Sequence, residues 1–136
     1  MASSKVPDDL RYTKDHEWAK LEGPSPGGRV RVGITAFAVE QLGDITLVEL
    51  PKVGTTVEEH KAFGTVESVK TLSDLFAPLS GKIVEVNEAL SASPELVNEG
   101  AYDKGWMIVI EPSDAKAFAG LLDAAAYRKL LDESAH

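Results

Sequence analysis

The chain has 136 residues, 43% of them hydrophobic and 26% charged, which suits one globular domain with a core of its own. Its 22 acidic against 14 basic residues give a formal net charge of −8, which repels phosphate backbones and argues against a nucleic-acid partner. The absence of cysteine excludes disulfides, thiolate nucleophiles and cysteine metal sites, and no apolar run approaches the roughly 20 residues needed to cross a bilayer. The opening stretch from Met1 to Leu10 lacks both an apolar signal region and an arginine-rich presequence pattern. The expected compartment is a bacterial cytoplasm, or the mitochondrial matrix after removal of a transit peptide.

Alternation of apolar and polar residues predicts a strand from His16 to Leu21 and, after a turn-rich connection at 22–29, a second strand carrying Val30, Val32 and Ile34. Thr35 is placed to N-cap a short helix running to Gln41, with Gly43 positioned to end it. Residues 45–50 read as a strand and 51–54 as a turn, where Pro51 blocks continuation of a central strand. Two hairpin arms follow, Ala62 to Val69 and Asp74 to Ala77, with Lys70 near their junction. Over 82–87 a period of two places Ile83, Glu85 and Asn87 on one face and Val84 and Val86 on the other.

Residues 106–112 form a β-prone run ended by Pro112. Ser113 is placed to cap a helix whose apolar stripe is Ala117, Phe118, Leu121 and Leu122, followed by Ala125, Leu130 and Leu131. The expectation is a single domain over 1–136, a β-rich body with a helical segment at about 113–134. Turn signals this frequent favour two packed sheets or a partly closed barrel.

The chain lacks the parts of a self-contained enzyme. His16, His60 and His136 are far apart and without metal-site spacing, and neither a glycine-rich phosphate loop nor a nucleophile elbow is present. What stands out is Lys70. Glu67, Ser73 and Asp74 surround it with acceptors, while its immediate neighbours, Val69 and Thr71, are uncharged. Either it is an ordinary solvated turn lysine, or the hairpin presents its amine for acylation, which would turn the side chain into a swinging arm.

The stretch "VESVKTLSDLFAPLSGKIVEVNE" (66–88) resembles the lipoyl-lysine region of the glycine cleavage system H protein family. "VPDDLRYTKDHEW" (6–18), "VGITAFAVEQLGDITLVELPKVG" (32–54), "ELVNEG" (95–100), "GWMIVIEPS" (105–113) and "LLDAAAY" (121–127) resemble that family in the same order. The resemblance implies a mainly β fold, a barrel-sandwich hybrid of two antiparallel sheets with a short internal helix and a helical C-terminus. It implies lipoic acid amide-linked to Lys70, in a non-catalytic carrier that shuttles an aminomethyl group. The implied partners are glycine decarboxylase, the tetrahydrofolate-dependent aminomethyltransferase, dihydrolipoamide dehydrogenase and the lipoate-attaching enzymes.

Glu17 and Asp74 are, by the same resemblance, the carboxylates expected near the loaded arm, with Glu17 the candidate holder of the aminomethyl group. Trp18 and His16 are expected to pack, and Gly64 and Gly81 to serve backbone geometry. The chain departs from the family's usual residues at Ala36, Phe37, Ala101 and His60, the last at a turn position that calls for positive φ. The alternatives are a lipoate relay protein of the same kind and a lipoyl domain of a 2-oxoacid dehydrogenase. The latter usually has aspartate before the lysine and no helical tail.

Overall fold

A computed structural model describes residues 6–22, 28–114 and 116–134. Most of the 22–29 connection and all of His136 lie outside the described residues. Among the described residues nine strands form two antiparallel sheets. The larger contains β1 (Arg11–Tyr12), β2 (Glu17–Glu22), β3 (Arg29–Ile34), β9 (Ile108–Pro112), β8 (Gly81–Val86) and β5 (Thr56–Val57), in that spatial order. The smaller contains β4 (Ile45–Glu49), β6 (Ala62–Ser68) and β7 (Leu72–Phe76). Among the described residues no helix is long and apolar enough to cross a membrane.

The alternating strands bury one face each. Val30, Val32, Ile83, Ile108 and Ile110 of the large sheet share a core with Val48, Val66 and Leu75 of the small one, all at most 5% exposed. Each such side chain contributes roughly 1.5–3 kcal/mol by leaving water. This is the barrel-sandwich arrangement expected from the sequence. Gly64 and Gly81 lie where strands approach closely, since a Cβ at either would strike a backbone carbonyl of the facing strand, that of Glu49 or Glu111.

Helix α1 (Ala36–Leu42) crosses between β3 and β4. Thr35 caps it by accepting the Ala38 N–H, and Gly43 ends it at φ 82°, donating its own N–H to Val39 O at 2.9 Å. His60 adopts φ 68°, as its turn position requires.

Two expectations need correction. The period of two over 82–87 is broken by a bulge between Ile83 and Glu85, so Ile83 is buried, Glu85 is exposed and Val86 turns back to the core. Asn87 is buried too, its amide donating to Lys104 O and Trp106 O. Short helices α2 (Ala89–Ala92) and α3 (Leu96–Glu99) follow.

The tail also differs, because Ser113 caps no helix. Its N–H and hydroxyl both bond to Ser80 O, fastening the chain to the turn before β8. A single 3-10 turn occupies 118–120, and the true C-terminal helix, α4 (Ala124–Ser134), begins after Asp123, which accepts the Ala126 N–H at 2.8 Å. Ala117, Phe118 and Leu121 do pack against the main core, before that helix starts. Within α4 the buried face is Ala124 and Tyr127, not Ala125, and it covers Leu10, Tyr12 and Trp18.

Candidate functional site

Lys70 stands in the four-residue turn joining β6 to β7. Ser68 makes that turn: its N–H donates to Thr71 O at 2.8 Å, and its Oγ accepts the N–H groups of both Lys70 and Thr71 at 3.2 Å. Serine favours such turns because its hydroxyl can satisfy backbone groups two and three residues on. Ser68 is 6% exposed, whereas Lys70 and Val69 are exposed.

The turn is also tied to the body. Val69 N–H donates to Asp44 O at 3.1 Å, just past α1. Asn98 on α3 straddles the same segment, its amide donating to Gly43 O and its carbonyl accepting the Ile45 N–H, both at 2.9 Å. The Lys70 stem lies over Gly43, so that a Cβ there would sit 3.3 Å from Lys70 Cε. The turn therefore does not hold the whole side chain away from the body; its stem rests at the C-terminal end of α1.

The other expected site residues are arranged by strand register. Glu67 pairs with Leu72 and Thr65 with Asp74, placing Glu67 and Asp74 on the exposed face of the small sheet. Ser73 pairs with Val66 on the opposite, half-buried side. None of Glu67, Asp74 and Glu17 forms an ion pair with Lys70 among the described residues.

Glu17 opens β2 but is only 2% exposed. One carboxylate oxygen takes the Thr13 hydroxyl at 2.7 Å, and the other takes the Phe76 N–H at 3.3 Å, two residues beyond Asp74 on β7. Burial pushes its pKa up to about 8, with Asp15 adding to the rise and the two hydrogen bonds opposing it. At neutral pH Glu17 is mostly protonated.

The residues around Glu17 are fixed by the C-terminal helix. His16 adopts φ 69°, a conformation costly for a residue with a Cβ. Its carbonyl accepts the Thr35 N–H, and its Nδ1 meets the Tyr127 hydroxyl at 2.8 Å. The same hydroxyl lies 2.8 Å from Thr35 Oγ, the cap of α1, while the Tyr127 ring stacks on Tyr12 at 4.5 Å. Burial lowers the His16 pKa, which suits a neutral ring accepting from Tyr127. Trp18 packs as expected, fully buried, and donates its indole N–H to Ala101 O.

Thr13, Asn98 and Tyr127 were not legible as site residues. Ser68 carried a usable signal, a hydroxyl two residues before the lysine in a turn. Asn98 and Tyr127 act across more than fifty positions of chain, and no local pattern marks them.

Two facing antiparallel sheets with an exposed lysine at the tip of a side-chain-pinned hairpin define a lipoyl-type carrier domain. The chain belongs to the glycine cleavage H-protein family, whose family model matches residues 10–134. It is 54% identical over 129 residues to the glycine cleavage system H protein of Anaeromyxobacter sp. strain K, covering 95% of this chain and 98% of that one. It is 52% identical to the Myxococcus xanthus protein of the same name, over 97% of this chain and 99% of the relative. The crystal structure of a glycine cleavage system H protein from Mycobacterium marinum superposes with a TM-score of 0.82 at 43% identity, covering 96% of this chain and all of that one.

Proposed function

We propose that Lys70 is the attachment point of lipoic acid and that the whole chain works as one non-catalytic carrier domain of the glycine cleavage system. The observation that carries this is an exposed amine on a turn held by Ser68, with its stem in a cradle that a Cβ at Gly43 would narrow. That cradle fits a lengthened lysine: the stem has a defined path, and the amine has no ion pair to break among the described residues. Amide formation takes the formal net charge from −8 to −9.

The lipoyl group supplies a disulfide that can accept an aminomethyl group and surrender it to tetrahydrofolate chemistry. The protein's residues bind, orient and shelter. Ser68 and Asp44 fix the departure point of the arm. Glu17 holds a proton on its buried carboxyl until a cationic cargo approaches; a nearby ammonium favours the ionised form, so the proton passes to water and the carboxylate accepts a charge-assisted hydrogen bond from the ammonium. Asp74, two residues before Phe76, adds an exposed carboxylate on the same edge strand, while Glu67 and Ser73 flank the hairpin that presents the amine. Tethering raises the effective concentration of the arm at each docked partner.

The partners are glycine decarboxylase, aminomethyltransferase, dihydrolipoamide dehydrogenase and the lipoate-attaching enzymes. The relatives named above are bacterial, which supports a bacterial carrier. The test is intact-protein mass after incubation with lipoate and an attaching enzyme. A mass gain of one lipoyl group, lost in Lys70→Arg, is the expected result. An unchanged mass for the folded wild-type chain overturns the reading.

A further inference from the structure

A cavity of about 400 Å³ opens between α1 and the segment 98–103. Val39, Glu40, Asn98, Ala101 and Tyr102 line it. Its walls are fixed by contacts already described or nearby: the Tyr102 hydroxyl accepts the Ala36 N–H at 3.0 Å, and Trp18 holds Ala101 O at 2.8 Å. Gly43, the seat of the Lys70 stem, is bonded to two of the lining residues, donating its N–H to Val39 O and accepting the Asn98 amide N–H on its carbonyl. The Asn98 amide thus links the wall of this cavity to the glycine over which the Lys70 stem lies.

Residues 36, 39, 40 and 43 fall on one stripe of α1, whereas Phe37, on another, packs its ring 4.8 Å from that of His16, beside Glu17. We infer that the cavity between α1 and residues 98–103 is a parking site for the uncharged, sulfur-bearing end of the acyl arm on Lys70. The inference rests on the carrier reading above. The side chains of Val39 and Ala101 offer apolar surface, and the Tyr102 ring offers an aromatic partner for a polarisable sulfur.

Charge selects a tethered occupant over a free one. The exposed carboxylates of Glu99 and Asp103 stand at the cavity together with Glu40, so free lipoate, an anion, is repelled. The same molecule in amide linkage has lost that charge and enters. The arm then has two destinations: this cavity for its uncharged end, and the buried carboxyl of Glu17 for a cationic cargo.

The experiment uses the full chain lipoylated at Lys70, with the product checked by mass. Its amide proton–nitrogen spectrum is compared with that of the unmodified chain, and reduction of the arm's disulfide by a small water-soluble phosphine is timed in wild type, Ala101→Leu and Ala36→Leu. Parking predicts shifts at Val39, Asn98 and Tyr102. It also predicts reduction about fivefold slower in wild type than in a folded, cavity-filled variant, the ratio given by roughly four arms in five being parked. Two independent filling variants guard against one that fails to fold. With the mass gain present, either an unshifted cavity or equal reduction in wild type and a folded filled variant overturns parking alone. Absence of the mass gain overturns the carrier reading and parking together.

Discussion

The carboxylate of Glu17, in the large sheet, accepts the backbone N–H of Phe76, in the small one, at 3.3 Å. The bond joins the two sheets through a group whose pKa burial raises from 4.5 to about 8. The folded state therefore binds more protons than the unfolded state between those values. Stability from Glu17 is fully present below about pH 4.5 and is lost as pH rises through about 8. Glu17→Gln removes this titration. The melting temperature of wild type minus that of the variant should fall steadily from pH 5 to pH 8, and a flat difference would show that Glu17 is not buried as a neutral acid.

Tyr127→Phe should destabilise the chain by about 1–3 kcal/mol, because His16 Nδ1 and Thr35 Oγ lose a buried partner while the ring stacking on Tyr12 survives. Equilibrium denaturation in urea measures the loss. Lipoate attachment at saturating attaching enzyme should stay normal, since the lysine turn hangs on Ser68 and Asp44 instead. A variant as stable as wild type would remove the hydroxyl from the structural argument.

Lys70→Arg should fold normally and accept no lipoate. The side chain is exposed, so arginine meets no steric obstacle, and its guanidinium does not form the amide. Thermal melting together with mass measurement separates this outcome from misfolding. A mass gain on the arginine variant would place the modification elsewhere.

Ser68→Ala leaves the N–H groups of Lys70 and Thr71 without their side-chain acceptor. Being near the surface, both can turn to water, so the cost in stability should be only about 1 kcal/mol. The turn itself loosens. The attaching enzyme should then show a raised KM for this variant, with kcat little changed, and identical kinetics would mean that the turn needs no pin.

The local parts of this molecule were readable because their causes are local. Thr35 and Gly43 bound α1 through bonds within one helical turn, and the hairpin around Lys70 follows from strand alternation interrupted by turn residues. The errors arose where a distant segment decides. A bulge in β8 answers to pairing with β9, and so defeats a count by twos. Ser113 looks like a helix cap by composition, yet Ser80 takes both its donors. Glu17 sits in an ordinary alternating strand, and only the packing of β7 over it makes it a buried acid. The family resemblance supplied its expected role at the site; sequence spacing did not.

Among the described residues, strand β7 has β6 on one side and no strand on the other. Such an open edge is a template for pairing with a second chain, and one N–H of that strand, that of Phe76, is occupied by a side chain rather than a strand. Exposed Asp74 adds charge to the same edge. Glu17 thus doubles as a guard against self-association, and its engagement by a cargo carries a hidden liability. Whenever that carboxylate turns to another partner, β7 regains an unsatisfied donor, and the chain's resistance to aggregation at high concentration rests on the remaining charge at that edge.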